Sequence, residues 1–75
     1  MYWKTKPEVV STVASSRRTH KLTQADLALK CNVTRQTIIA IEKGNYIPSV
    51  ALALKLAEVL QTNVEKLFML EGNRL

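Results

Sequence analysis

Between Gln24 and Lys43 the apolar positions fall at the spacing of two short helices joined by a tight turn. Leu27, Ala28 and Cys31 share one face of the first helix, and Ile38 and Ile41 share one face of the second. Ala28 is small where two helices crossing steeply must approach closely. Asn32 stands at the turn and suits a left-handed backbone conformation when glycine is absent. Val33 follows it, and Thr34 is placed to cap the second helix. Gly44 sits at the usual left-handed stop.

The same reading predicts three more helices. The first runs from about Pro7 to Arg18, with proline in its first turn and Val9, Val10, Val13 and Ala14 as its apolar stripe. The second of the five starts after Thr23, whose hydroxyl can cap the amide of Asp26. Ser49 caps the fourth, Val50 to Leu60, which is apolar around most of its circumference and is therefore expected to be central and buried. Thr62 and Asn63 are equally good caps for the fifth, which carries Val64, Leu67, Phe68 and Leu70. The expectation is an all-α, compact five-helix domain over residues 7–70. An N-terminal arm, 1–6, precedes it, and a C-terminal tail, 71–75, follows.

Length and composition narrow the class. Seventy-five residues allow one core, and 47% hydrophobic with 23% charged residues describes a globular chain. The longest apolar run, Val50 to Leu54, stops at Lys55, far short of a membrane span. No secretory h-region follows Met1, and the lone Cys31 has no internal disulfide partner, so a cytoplasmic location is expected. The net charge of +5 is unevenly placed. Residues 1–46 hold eight Lys and Arg against three acids, whereas residues 47–75 hold three of each. A basic half beside a neutral half is the asymmetry of a chain with one face toward a polyanion.

The outward face of the third helix supplies matching chemistry. With Ile38 and Ile41 inward, Arg35, Gln36, Ile39 and Lys43 turn outward, with Thr34 and Thr37 near the leading end. Arginine can grip guanine O6 and N7 as a fork, and glutamine can do the same to adenine N6 and N7. Gln24, Thr34, Lys43 and Tyr46 carry amide, hydroxyl or ammonium groups suited to phosphate oxygens. One histidine and one cysteine provide neither a catalytic constellation nor a metal-ligand set, and no cofactor is implied. His20 reads as a surface residue at the end of the first helix.

From Leu22 to Leu70 the chain resembles the Cro/C1-type (XRE) helix-turn-helix family, and in particular its minimal bacterial regulators. The strings LTQADLA, NVTRQTIIAIEKG, YIPS, ALALKLAEVL and VEKLF carry the likeness in register. The resemblance implies a lambda-repressor-like fold with the helix-turn-helix at helices 2 and 3. It also implies sequence-specific operator binding as a dimer. By position it assigns Gln24 to a DNA phosphate, Arg35, Gln36, Thr37 and Ala40 to base contacts, and Arg17 and Glu42 to a buried structural ion pair. Asn32 departs from the family's glycine, and Ser16 from its leucine.

Val64, Leu67, Phe68 and Leu70 are more apolar than a terminal helix needs for packing on one side, which predicts a homodimer through this region. Tyr2 and Trp3, with Lys4 and Lys6, read either as an arm touching DNA or as aromatics packed on the domain or a partner subunit. The leading expectation is a transcriptional regulator of the repressor kind acting on double-stranded DNA. A protein-binding antitoxin that autoregulates through the same motif is the alternative, and a purely protein-binding adaptor a third.

Overall fold

Four side chains set the helix starts. Thr23, Thr34, Ser49 and Asn63 each accept a hydrogen bond from the backbone N–H three residues on, those of Asp26, Thr37, Leu52 and Lys66. Each such cap satisfies an otherwise orphaned amide and contributes about 1 kcal/mol. At Thr23 the bond is reciprocated, because the Asp26 carboxylate accepts from the Thr23 N–H at 2.9 Å. Asn63, rather than Thr62, caps the last helix.

The structure, a computed structural model, describes residues 8–71. Strand β1 (Glu8–Ser11) leads into helices α1 (Val13–Thr19), α2 (Gln24–Cys31), α3 (Arg35–Glu42), α4 (Val50–Val59) and α5 (Val64–Leu67), and strand β2 (Phe68–Glu71) closes the order. The expected arm 1–6, Pro7 and residues 72–75 lie outside the described residues. Glu71, expected in the tail, is the last residue of β2.

The two strands correct the all-α expectation. β1 and β2 pair antiparallel, with Val9 opposite Leu70, Val10 opposite Met69 and Ser11 opposite Phe68. Helix α1 therefore starts at Val13 rather than near Pro7, and α5 is a single turn that ends before Phe68. Val9 and Val10 are β-branched and favour the pleated conformation once a partner strand is available. That partner comes from the opposite end of the described chain, so only the long-range pairing decides the conformation. Thr12 joins the strands to the helices: its N–H donates to the Leu67 carbonyl at 2.8 Å and its hydroxyl to that of Lys66 at 2.7 Å. This use of the hydroxyl leaves α1 without a side-chain cap.

The core is drawn from every helix: Val13 from α1, Leu27, Ala28 and Cys31 from α2, Ile38 and Ile41 from α3, Leu56 and Ala57 from α4, Leu60 just past it, and Leu67 from α5. Helix α4 is not the enclosed rod that its composition suggested. It buries Ala53, Leu56 and Ala57 but leaves Val50 77% and Leu54 58% exposed. Leu67 is 1% exposed and packs in the core, so it is removed from the expected dimer surface.

Deleting the buried Leu67 side chain leaves a cavity as well as losing its transfer energy. Leu67→Ala is expected to lower the unfolding free energy by about 2–5 kcal/mol in urea denaturation. Leu29→Ala, at a site 82% exposed, is expected to change it by less than about 0.5 kcal/mol.

Candidate nucleic-acid interface

Helices α2 and α3 meet at a turn in which Asn32 adopts the left-handed conformation, φ 59° and ψ 44°. Its N–H bonds the Leu29 carbonyl, and that of Val33 bonds the Ala28 carbonyl at 3.0 Å, closing the end of α2. Asparagine is among the few non-glycine residues that take this conformation at low cost, which explains its standing where the family has glycine. The Thr34 cap then restarts the chain as α3. At the far end Gly44, with φ 78°, turns the chain away.

Buried Ile38 and Ile41 fix the roll of α3. Arg35, Gln36 and Lys43 are consequently exposed, while Thr37, Ile39 and Ala40 are half-buried. Thr34 Oγ1 and Thr37 Oγ1 lie 3.0 Å apart, so one hydroxyl donates a hydrogen bond to the other at the leading end of the helix. Lys43 is the C-terminal cap residue of α3, and the exposed Tyr46 follows in the loop before α4. Arg35, Gln36, Thr34 and Thr37 thus occupy the first turn of one helix and its cap.

Beneath this face runs a chain of polar side chains. Arg17 of α1 donates from Nε to Glu42 Oε2 at 2.7 Å and from Nη2 to Oε1 at 3.3 Å, as a fork on the carboxylate. Its Nη1 donates to the Leu22 carbonyl at 2.8 Å. The two side chains are only 11% and 7% exposed. Gln24, the first residue of α2, donates from Nε2 to Glu42 Oε1 at 3.0 Å and accepts at Oε1 from Arg35 Nη2 at 3.2 Å. The resemblance assigned Gln24 to a phosphate and gave no contact to Glu42 or Arg35. No local pattern in the sequence marks this link, because its members lie 11 and 18 residues apart.

Desolvation pushes the Glu42 carboxyl up, but the hydrogen bonds from Arg17 and Gln24 and the charges of Arg17 and Arg18 outweigh it. The net effect holds the group below the ordinary glutamate range. His20, at the end of α1, has Nδ1 2.9 Å from the Ser16 carbonyl oxygen, and the free thiol of Cys31 is buried. Among the described residues no cluster of His, Cys, Asp and Glu could hold a metal ion, and no helix is long and apolar enough to cross a membrane.

Two capped helices crossing at a tight turn, the second pinned by isoleucines and bearing Arg and Gln outward, define a helix-turn-helix protein. The helix-turn-helix family model matches residues 13–67. The chain is similar to the uncharacterized HTH-type transcriptional regulator MJ0272 of Methanocaldococcus jannaschii, 54% identical over 57 residues that cover 76% of this chain and 86% of that protein. It is 42% identical to an HTH-type transcriptional regulator of Archaeoglobus fulgidus, over 79% of this chain and 84% of the relative. It is also 48% identical to YgzD of Bacillus subtilis, over 64% and 73% respectively. The relatives thus come from archaea as well as from a bacterium. The chain belongs to the Cro/C1-type (XRE) helix-turn-helix family of DNA-binding transcriptional regulators. Among solved structures, the clp gene regulator ClgR of Corynebacterium glutamicum has the same fold, with a TM-score of 0.69 at 22% identity. That match covers 73% of this chain and spans 58% of ClgR.

Glu42 links pH to stability. A carboxyl whose folded pKa lies below its unfolded value contributes fully above the unfolded value, about 4.3, and loses that contribution as pH falls through the folded one. Glu42→Gln leaves Arg17 without its counter-charge and is expected to cost on the order of 3 kcal/mol at pH 7. In denaturation series at several pH values, the gap between wild type and variant should be widest near neutrality and narrow below about pH 4.

Proposed function

We propose that the protein is a sequence-specific regulator that inserts α3 into the major groove of double-stranded DNA, with Arg35 and Gln36 as its principal base readers. The observation that carries this reading is the exposed, outward pair Arg35 and Gln36 on the first turn of a helix rolled into place by Ile38 and Ile41. Both side chains can form bidentate contacts with purine edges. Thr37 and Ala40, half-buried on the same helix, lie close to the bases, where a small residue permits close approach. Gln24, Thr34, Lys43 and Tyr46 serve the phosphates on either side. The charge distribution supports the same orientation, since the whole +5 excess belongs to residues 1–46.

The protein acts as a homodimer on a palindromic operator. Support comes from the apolar surface formed by the neutral half. Val64, Phe68 and Leu70 line a groove of about 210 Å³ together with Ile47, Pro48 and Val50, and Leu54 is exposed on α4. Contiguous apolar surface of this kind marks an interaction site. Two-fold pairing would place two copies of α3 about 34 Å apart, one turn of B-DNA. A small domain seated on a promoter most simply excludes polymerase, so repression is the proposed outcome.

Two measurements test the reading. On a duplex selected by the wild-type protein from a random pool, Arg35→Ala is expected to lose roughly 1–3 kcal/mol of binding free energy, with little loss on random DNA. Equal loss on both would contradict a base contact. In sedimentation equilibrium at micromolar concentration the wild type should be a dimer and Leu70→Asp a monomer. A wild-type monomer would overturn the proposed dimer.

A further inference from the structure

The last turn of α1 is tied both to the start of α2 and to the end of α3. Arg17 Nη1 donates to the Leu22 carbonyl at 2.8 Å, and Nε donates to Glu42 Oε2 at 2.7 Å. The corner that follows closes as the Lys21 N–H bonds the Arg18 carbonyl at 2.9 Å and the Leu22 N–H bonds that of Arg17 at 3.1 Å. Two cations stand on this corner, Arg18 and Lys21, and both are exposed. The ion pairs among the described residues are Arg17–Glu42 and Lys55–Glu58, so both charges are uncommitted. No Asp or Glu occurs between Val9 and Ala25 to offset them. Arg18 lies near enough to Glu42 for its charge to help hold that carboxyl down, and Glu42 is bonded to Gln24. The corner thus shares the side of the domain on which α2 begins. Lys21 also takes a left-handed backbone, with φ 58°. Glycine adopts that conformation freely, whereas a residue with a Cβ is crowded there. A backbone cost kept at an exposed, unpaired cation points to a use for the charge.

We infer that the α1–α2 corner is a second nucleic-acid contact, in which Arg18 and Lys21 bind phosphates of the DNA strand that Gln24 meets. The inference rests on α2 and α3 facing DNA. Both side chains are carried outside the helix-turn-helix, so they add affinity without adding base preference. Arginine offers a fork of donors to phosphate oxygens, and lysine a mobile point charge. Because neither is engaged in an ion pair, binding breaks none and releases counterions from the duplex, the source of salt-dependent affinity. The contact extends the footprint of the domain beyond the groove that α3 enters.

The test measures affinity against salt concentration for wild type, Arg18→Gln and Lys21→Gly, on the selected duplex and on random DNA. Each variant is expected to bind both duplexes roughly 5- to 10-fold more weakly at about 0.1 M salt. Each should also flatten the slope of log K against log salt by about 0.9, the share of one phosphate, with base preferences as in the wild type. Lys21→Gly relieves the left-handed backbone, so its melting temperature should equal or exceed that of the wild type while its DNA affinity falls. A merely structural role cannot separate the two. Gln61→Gly relieves the same conformation, φ 56°, beyond α4, and Lys66→Gln removes an exposed charge from α5. Both should leave the slope unaltered. An unaltered slope in either corner variant, or an equal loss of slope in Lys66→Gln, overturns the inference and leaves α3 as the reading helix. Wild-type binding with no preference among duplexes overturns the base-reading role of α3 instead, and the slopes still judge the corner.

Discussion

Glu42 is the point at which three helices are tied together. Its carboxylate accepts from two nitrogens of Arg17 on α1 and from the amide of Gln24 on α2, while its own backbone ends α3. A carboxylate that is 7% exposed has lost most of its water and depends on these donors for its stability. The pair therefore specifies position more than it supplies net energy, since a buried ion pair often only balances its desolvation cost. What it fixes against α1 and α2 is the end of α3, the helix whose first turn carries Arg35 and Gln36.

The remainder of the chain holds this arrangement from both sides. Ile38 and Ile41 set the roll of α3 from within, and the Thr34 cap and Gly44 set its two ends. The strands give the domain a closure that helices alone would lack: β1 and β2 bring the two ends of the described chain together, and Thr12 fastens the junction to the end of α5. The same pairing sets Met69 and Leu70 at the surface beside the apolar groove. One region of the fold thus carries the exposed Arg35, Gln36 and Lys43, and another carries apolar surface at Leu54, Met69 and Leu70.

Local features were legible in the sequence because local chemistry decides them. The caps at Thr23, Thr34 and Ser49, the left-handed turn at Asn32 and the stop at Gly44 each follow from one side chain acting on a backbone a few residues away. The inward faces of α2 and α3 follow from helical period alone. The strands were not legible, because Val9-Val10 and Phe68-Met69-Leu70 are short apolar runs that fit either period, and the pairing that decides between them spans the domain. The exposure of Val50 and Leu54 was hidden for a related reason: a helix apolar on most sides does not reveal which side lacks a neighbour. At the site, Arg35 and Gln36 stood out by type and spacing and Arg17 with Glu42 by family resemblance. The bridging role of Gln24 needed the three helices to be brought together.

The central claim is that DNA meets the face of α3 held by this network and not the apolar surface around Leu54 and Leu70. Titration of nitrogen-15-labelled protein with a selected duplex, followed through backbone amide shifts, tests it most directly. The account predicts the largest changes at Gln24, in Thr34–Thr37 and from Lys43 to Tyr46. Changes concentrated instead at Val50, Leu54 and Leu70, with α3 unmoved, would contradict it.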